Sequence, residues 1–252
     1  MEEKTVSIQN LKTNYKICGK GENLLILHGW GGSSDSWKKM IEILGLKFRV
    51  ICPDFPGFGK TDQPKETWNL DRFVAWLKDF VDTLSLKDFF MLGHSFGGRV
   101  AIKFTILYPQ RIKKLLLLNS AGIKKELTFK EKIIINLAKT GKKIISPFKF
   151  KNKIQQIFYF LFGIGDYSKA EGVMKETMKA IIKEDLLPQL SHIKKETIII
   201  WGEKDKIVPL KYGMLLKEKI TGSKIEIIPK TGHSPHLENP EKLFEVLISH
   251  LK

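Results

Sequence analysis

A chain of 252 residues, 42% of them hydrophobic, is long enough to fold around a sizeable core by itself. Its net charge of +16 comes from 43 lysines and arginines against 27 acids, but the excess is lysine and no helix-turn-helix or RNA-binding signature accompanies it, so nucleic acid is not an expected partner. Cys18 and Cys52 sit outside any metal-ligand spacing, which leaves a zinc site or a disulfide framework without support, although a single bridge between the two stays open. The start, Met1-Glu2-Glu3-Lys4, is charged and leads into no apolar stretch, and no run approaches the roughly 18 residues of a membrane span. The chain therefore reads as soluble and cytoplasmic.

In chain order, Thr5–Ile8 and Asn14–Ile17 read as short strands of a hairpin, with turn residues around Asn10 and from Lys12 to Asn14. Leu24-Leu25-Ile26-Leu27 is an apolar run of the kind buried on both faces of a sheet, and it ends in His28-Gly29-Trp30-Gly31-Gly32. Ser33 or Ser34 then caps a helix to about Leu44, with Trp37, Met40, Ile41 and Leu44 at helical spacing. A strand over Phe48–Cys52 closes in a proline- and glycine-fixed loop from Pro53 to Gly59, and a helix runs from about Leu70 to Leu84. Phe89-Phe90-Met91-Leu92 is the next strand; it breaks into Gly93-His94-Ser95-Phe96-Gly97-Gly98 and resumes as a helix over Arg99–Tyr108. Leu115–Asn119 follows as another buried strand. Strands alternating with helices predict an α/β fold with a mostly parallel sheet covered by helices on both faces.

The alternation stops at Ser120-Ala121-Gly122. Residues 123–190 carry amphipathic stretches but no comparable strand, so they read as a mostly helical lid inserted between core segments 1–122 and 191–252. Ten lysines from Lys124 to Lys153 face only Glu126 and Glu131. Such a patch suits an anionic membrane or an acidic partner, but Gly141 and Pro147 interrupt any continuous membrane-lying helix, and a lid with a solvated lysine face is the preferred reading. Strand pattern returns at Thr197–Trp201, before a loop holding Asp205, a helix over Leu210–Ile220 and a last strand over Lys224–Ile228. That strand opens into Lys230-Thr231-Gly232-His233-Ser234-Pro235-His236, and Pro240 starts a terminal helix.

Ser95 is the candidate nucleophile. A G-x-S-x-G sequence between strand and helix makes a turn so tight that its flanks must lack side chains, and the turn lifts the hydroxyl clear of the sheet. HGWGG, PDFPGFG, GHSFGG, WGEKD and GHSPHLENP, in this order and spacing, resemble the α/β-hydrolase superfamily over essentially the whole chain. The resemblance implies a triad of Ser95, Asp205 and His233, with the lid after the sixth strand. A serine needs a base within hydrogen-bond reach, and the base an orienting partner, so His233 is expected to take the Ser95 proton and Asp205 to hold the imidazole. The backbone N–H groups of Trp30 and Phe96 are the expected oxyanion donors. His236 is the rival base. His28 is expected to fix the oxyanion loop, and His94 to project away from Ser95. Asp54 is a substitute acid or an anchor of its own loop, and Arg99 is expected to pair with a carboxylate. Lys60 stands where the family loop commonly has serine, which puts loop packing or substrate entry in question.

A serine rather than an aspartate nucleophile points to acyl chemistry, with no cofactor or metal required. Trp30, Phe58, Phe96, Phe148, Phe158, Tyr159 and Phe162 are candidates to line an apolar pocket. The expected activity is that of a carboxylesterase on small or medium acyl esters, as a monomer or homodimer. A hydrolase of the carbon–carbon bond in vinylogous diketone acids is the first alternative; it predicts a lid arginine for the substrate carboxylate, and residues 123–190 contain none. A lactonase remains open on the same triad, as does a catalytically silent binding protein on the same scaffold.

Overall fold

The computed structural model describes residues 1–124 and 172–251. Eight strands form one sheet in the order β1-β2-β4-β3-β5-β6-β7-β8: β1 (Glu2–Ile8), β2 (Leu11–Cys18), β3 (Asn23–Leu27), β4 (Arg49–Pro53), β5 (Phe89–His94), β6 (Ile112–Leu118), β7 (Thr197–Gly202) and β8 (Lys224–Ile228). The β1–β2 and β2–β4 pairs are antiparallel and all others parallel.

The hairpin turn is tighter than its composition suggests. Gln9 and Asn10 both take positive φ, 49° and 63°, and close the turn alone. Lys12-Thr13-Asn14 therefore lies in β2, paired with Ser7, Val6 and Thr5; ladder pairing overrides the turn preference of these residues. Cys18 sits opposite Val50 and Cys52 opposite Lys16, so the thiols are not cross-strand partners, and both are free.

The apolar runs divide residue by residue between two cores. Leu25, Leu27, Met91, Leu115, Leu117 and Ile199 face one side, where α2 (Leu70–Thr83), α3 (Phe96–Leu107) and α5 (Leu210–Lys219) pack. Leu24, Ile26, Leu92, Leu116, Leu118 and Ile198 face the other, against α1 (Lys38–Leu44) and α7 (Pro240–His250). Each such side chain is fully buried and stabilises the fold by about 1.5–3 kcal/mol. This two-sided demand is why the strands read as unbroken leucine and isoleucine runs.

The remaining described α-helices are α4 (Gly172–Lys183) and the single turn α6 (Pro235–Glu238). The helix expected from Ser33 begins as a 3₁₀ turn, Ser34–Trp37, with the Ser33 hydroxyl accepting from Asp35 N–H. Of the expected lid, residues 125–171 lie outside the described part, and with them Phe148, Phe158, Tyr159, Phe162 and the lysines from Lys125 to Lys153. Among the described residues no helix is long and apolar enough to cross a membrane.

Candidate active site

β5 ends at His94, α3 begins at Phe96, and Ser95 between them is held at φ 52°, ψ −115°. A non-glycine residue in that region costs about 1–3 kcal/mol and persists only where its surroundings enforce it. Here they do. A Cβ on Gly93 would lie 2.6 Å from Gly97 O, one on Gly97 2.2 Å from Leu27 O, and one on Gly98 2.2 Å from Ser120 Oγ. The helix therefore starts three residues earlier than its apolar pattern suggests, with Gly97 and Gly98 pressed against β3 and the β6 end.

His233 Nε2 lies 3.0 Å from Ser95 Oγ, and His233 Nδ1 lies 2.8 Å from Asp205 Oδ2. The three residues come from the ends of β5, β7 and β8, all at the carboxyl edge of the parallel strands, where the crevice of an open α/β sheet lies. Asp205 is fixed by its own loop: Oδ1 accepts from Ile207 N–H at 2.8 Å and Val208 N–H at 2.9 Å, and its side chain is fully buried. A carboxylate on Nδ1–H leaves Nε2 with the lone pair that faces the serine hydroxyl, so the arrangement can move a proton from Ser95 to His233.

Trp30 follows β3, and its ring packs edge-on against Phe58 at 4.8 Å and Phe96 at 5.3 Å. Among the described residues neither Trp30 N–H nor Phe96 N–H has a protein acceptor; that of Phe96 lies in the first turn of α3, where no intrahelical partner exists. His28 ties the Trp30 loop down. Its Nδ1–H donates to Gly29 O at 2.7 Å and its Nε2 accepts from Phe55 N–H at 3.0 Å. Burial lowers its pKa and keeps the ring neutral, as that bonding pattern requires.

The other candidates separate by their partners. His236 stacks on Trp37 at 4.1 Å and 4°, its Nδ1 has no partner among the described residues, and burial brings its pKa down to about 3; His233 holds the place beside Ser95. His94 does not simply point away: Nε2–H donates to His233 O at 2.8 Å, so its ring lies beneath the histidine loop and supports it. Asp54 is a loop anchor, accepting from Ser34 N–H at 2.6 Å, Asn14 Nδ2 at 2.9 Å and Lys60 N–H at 3.0 Å. Lys60 keeps that backbone contact and turns its ammonium to Glu3 at 2.7 Å, so loop packing survives the loss of serine.

Among the described residues Arg99 bonds no carboxylate. Its Nη1 donates to the carbonyls of Ile181 at 3.1 Å and Glu184 at 2.6 Å, at the end of α4. Last-turn carbonyls lack intrahelical partners and carry negative partial charge, which draws the guanidinium there. Burial lowers its pKa to about 10, and the Glu184 carboxylate goes to Lys103 Nζ instead, at 2.6 Å.

Two residues with no role assigned from sequence join the site. Glu238 accepts from Gly232 N–H at 2.5 Å and Ser234 N–H at 2.9 Å, one on each side of His233. Asn119 donates from Nδ2 to Asp205 Oδ2 at 2.5 Å. A polar residue closing a run of four leucines at the carboxyl edge is the signal that marks Asn119.

Ser95 and His233 open onto a cavity of about 440 Å³ walled by Trp30, Phe96, Met178 and Ile181. Among the described residues its charged lining is Arg99 and Lys124, both cationic. Among those residues no cluster of histidine, cysteine and acidic side chains is arranged to hold a metal.

A strand-loop-helix elbow on a mostly parallel sheet, with its serine facing a histidine, defines a class, and the sequence agrees: residues 22–157 match the alpha/beta hydrolase fold family, to which this chain belongs. It is a hydrolase of that family. It is 28% identical over 268 residues to a 2-hydroxy-6-oxo-6-(2'-aminophenyl)hexa-2,4-dienoic acid hydrolase of Metapseudomonas resinovorans, covering 99% of this chain and 90% of that one. It is 29% identical over 267 residues to 2-hydroxy-6-oxononadienedioate/2-hydroxy-6-oxononatrienedioate hydrolase 1 of Pseudomonas putida, covering 96% and 92%. Among solved structures, a serine hydrolase involved in carbazole degradation superposes with TM-score 0.76 at 27% identity over 99% of this chain and 98% of that one. A thermophilic esterase from Thermogutta terrifontis superposes with TM-score 0.76 at 22% identity over 100% and 98%, a likeness of fold.

Proposed function

We propose that the protein is a serine hydrolase that cleaves carboxylic esters of small or medium acyl groups through an acyl-enzyme on Ser95. The observation that carries this reading is the continuous hydrogen-bond path from Asp205 through His233 to Ser95 Oγ, 2.8 and 3.0 Å long. His233 takes the serine proton as Oγ attacks the acyl carbon, then gives it to the departing alkoxide. Asp205 keeps the proton of the resting ring on Nδ1 and balances the imidazolium that forms. The oxyanion of the tetrahedral intermediate is received by the N–H groups of Trp30 and Phe96, each worth about 3–4 kcal/mol in the transition state. Water, activated by the same histidine, then releases the acid.

Hydrolysis of p-nitrophenyl acetate through palmitate by the protein and its Ser95→Ala variant tests this. Turnover of short or medium esters, reduced at least about a thousandfold in the variant, is the expected result. A folded wild type that hydrolyses none of them removes the esterase reading.

A second reading has its own support: cleavage of the carbon–carbon bond in vinylogous diketone acids, the kind of substrate named for the two relatives at 28% and 29% identity. The lid arginine that this reading predicts is absent from 123–190, but Arg99, supplied by the core helix α3, lines the cavity together with Lys124. Turnover of a 2-hydroxy-6-oxohexadienoic acid exceeding that of every p-nitrophenyl ester would favour it.

A further inference from the structure

Asn119 stands one residue beyond β6 and joins the two loops that carry Asp205 and His233. Its amide is completely buried and uses its donors and its acceptor together. Nδ2 donates to Asp205 Oδ2 at 2.5 Å and to Gly232 O, next to His233, at 3.2 Å; Oδ1 accepts from Gly202 N–H, at the end of β7, at 3.2 Å. The amide can sit only this way round, because a flip would set its oxygen against the carboxylate and its N–H groups against Gly202 N–H. The backbone at Asn119 is at φ 43°, in the left-handed region that asparagine tolerates better than other side chains. Aspartate here would set a second carboxylate against Asp205, and leucine would supply no donor.

We propose that Asn119 is a positioning residue of the hydrolytic reaction. Its amide holds the Asp205 carboxylate on His233 Nδ1 and takes up part of the carboxylate's charge, and so sets how readily His233 accepts the serine proton. The proposal rests on the hydrolase reading above. Asp205 Oδ2 is shared between His233 Nδ1–H and Asn119 Nδ2–H; with the amide removed, the whole charge of that oxygen faces the imidazole and stabilises the imidazolium more strongly. A base must be neutral to act, so the acidic limb of kcat/KM then moves to higher pH. The carboxylate, still held through Oδ1 by Ile207 and Val208 N–H, loses the donor that fixes its Oδ2 against the imidazole, and the rate falls.

The test compares wild type with Asn119→Leu and Asn119→Ala in three measurements: the pH profile of kcat/KM on the best p-nitrophenyl ester, the low-field proton resonance of His233 Nδ1–H in the resting protein, and the count of competent sites by stoichiometric phosphonylation. Expected is a fall in kcat of up to about 10²-fold per competent site, an acidic limb displaced upward by about half a pH unit or more, and a displaced or broadened low-field resonance. If Asn119→Leu does not fold, Asn119→Ala decides. An unmoved limb and an unmoved resonance, with rate lost only in proportion to competent sites, would overturn the proposal and leave Asn119 a structural residue. If the wild type hydrolyses no ester, the ester reading falls by itself, while the resonance and its pH titration in wild type and variant still decide the role of Asn119.

Discussion

Four histidines crowd the site, and their partners separate their tasks. His28, His94 and His236 are buried, and desolvation lowers the pKa of each below the usual 6.5, to about 3 for His236. A histidine whose folded pKa is depressed binds its proton more readily in the unfolded chain. The stability it contributes is therefore complete above the unfolded value and is lost as pH falls through 6.5 toward the folded value. For His236 that window runs from 6.5 to about 3. Urea unfolding at pH 7, 6 and 5 should show stability dropping with acid, and His236→Gln should flatten the drop by up to about 1.4 kcal/mol per pH unit within the window. Equal slopes for variant and wild type would contradict this. At this scale the sequence was partly legible. The elbow announces Ser95, because only a sterically enforced turn needs glycines at 93 and 97. Asn119 carried only the signal of a polar residue closing a leucine run, and Glu238 carried none: an amide or a carboxylate gains its role from loops distant in sequence, here those of Asp205 and His233.

At the scale of elements, the apolar runs located β3, β4, β5 and β7 to within two residues, because a strand buried on both faces has few polar residues to blur its limits. The expected starts of β1 and β6 each fall three residues late, at Thr5 for Glu2 and at Leu115 for Ile112, where exposed polar residues stand near the start of the strand. β2 differs for another reason: hairpin pairing took Lys12-Thr13-Asn14 out of the expected turn. Arg99 shows the other limit of pattern reading. Its place on α3 is plain from sequence, whereas its partners are carbonyls of α4 some eighty residues away. Removing the guanidinium takes the donor from the Glu184 carbonyl and leaves the Ile181 carbonyl with only Glu184 N–H, at 3.3 Å, at about 1–3 kcal/mol for a carbonyl left unpaired. Arg99→Met should therefore lower the unfolding free energy and speed amide exchange in the last turn of α4. Unchanged exchange there would show that α4 does not depend on this clamp.

For the whole molecule, the sheet collects at one edge what the chain disperses. Ser95, Asp205 and His233 span 138 positions between the first and last yet meet because β5, β7 and β8 run parallel. That convergence was legible, since alternating strands and helices dictate a parallel sheet and a parallel sheet has one carboxyl edge. Substrate choice was not, because it depends on the cavity's shape and on the cations Arg99 and Lys124 that the fold brings to its wall. The central claim, that Ser95 is a nucleophile activated by His233, is tested most directly by reaction with a p-nitrophenyl alkylphosphonate. Expected are one equivalent of p-nitrophenolate per chain, an adduct mapped to the peptide containing Ser95, no release from Ser95→Ala and much slower release from His233→Ala. A folded wild type that releases none, or that carries the adduct on another residue, would contradict it.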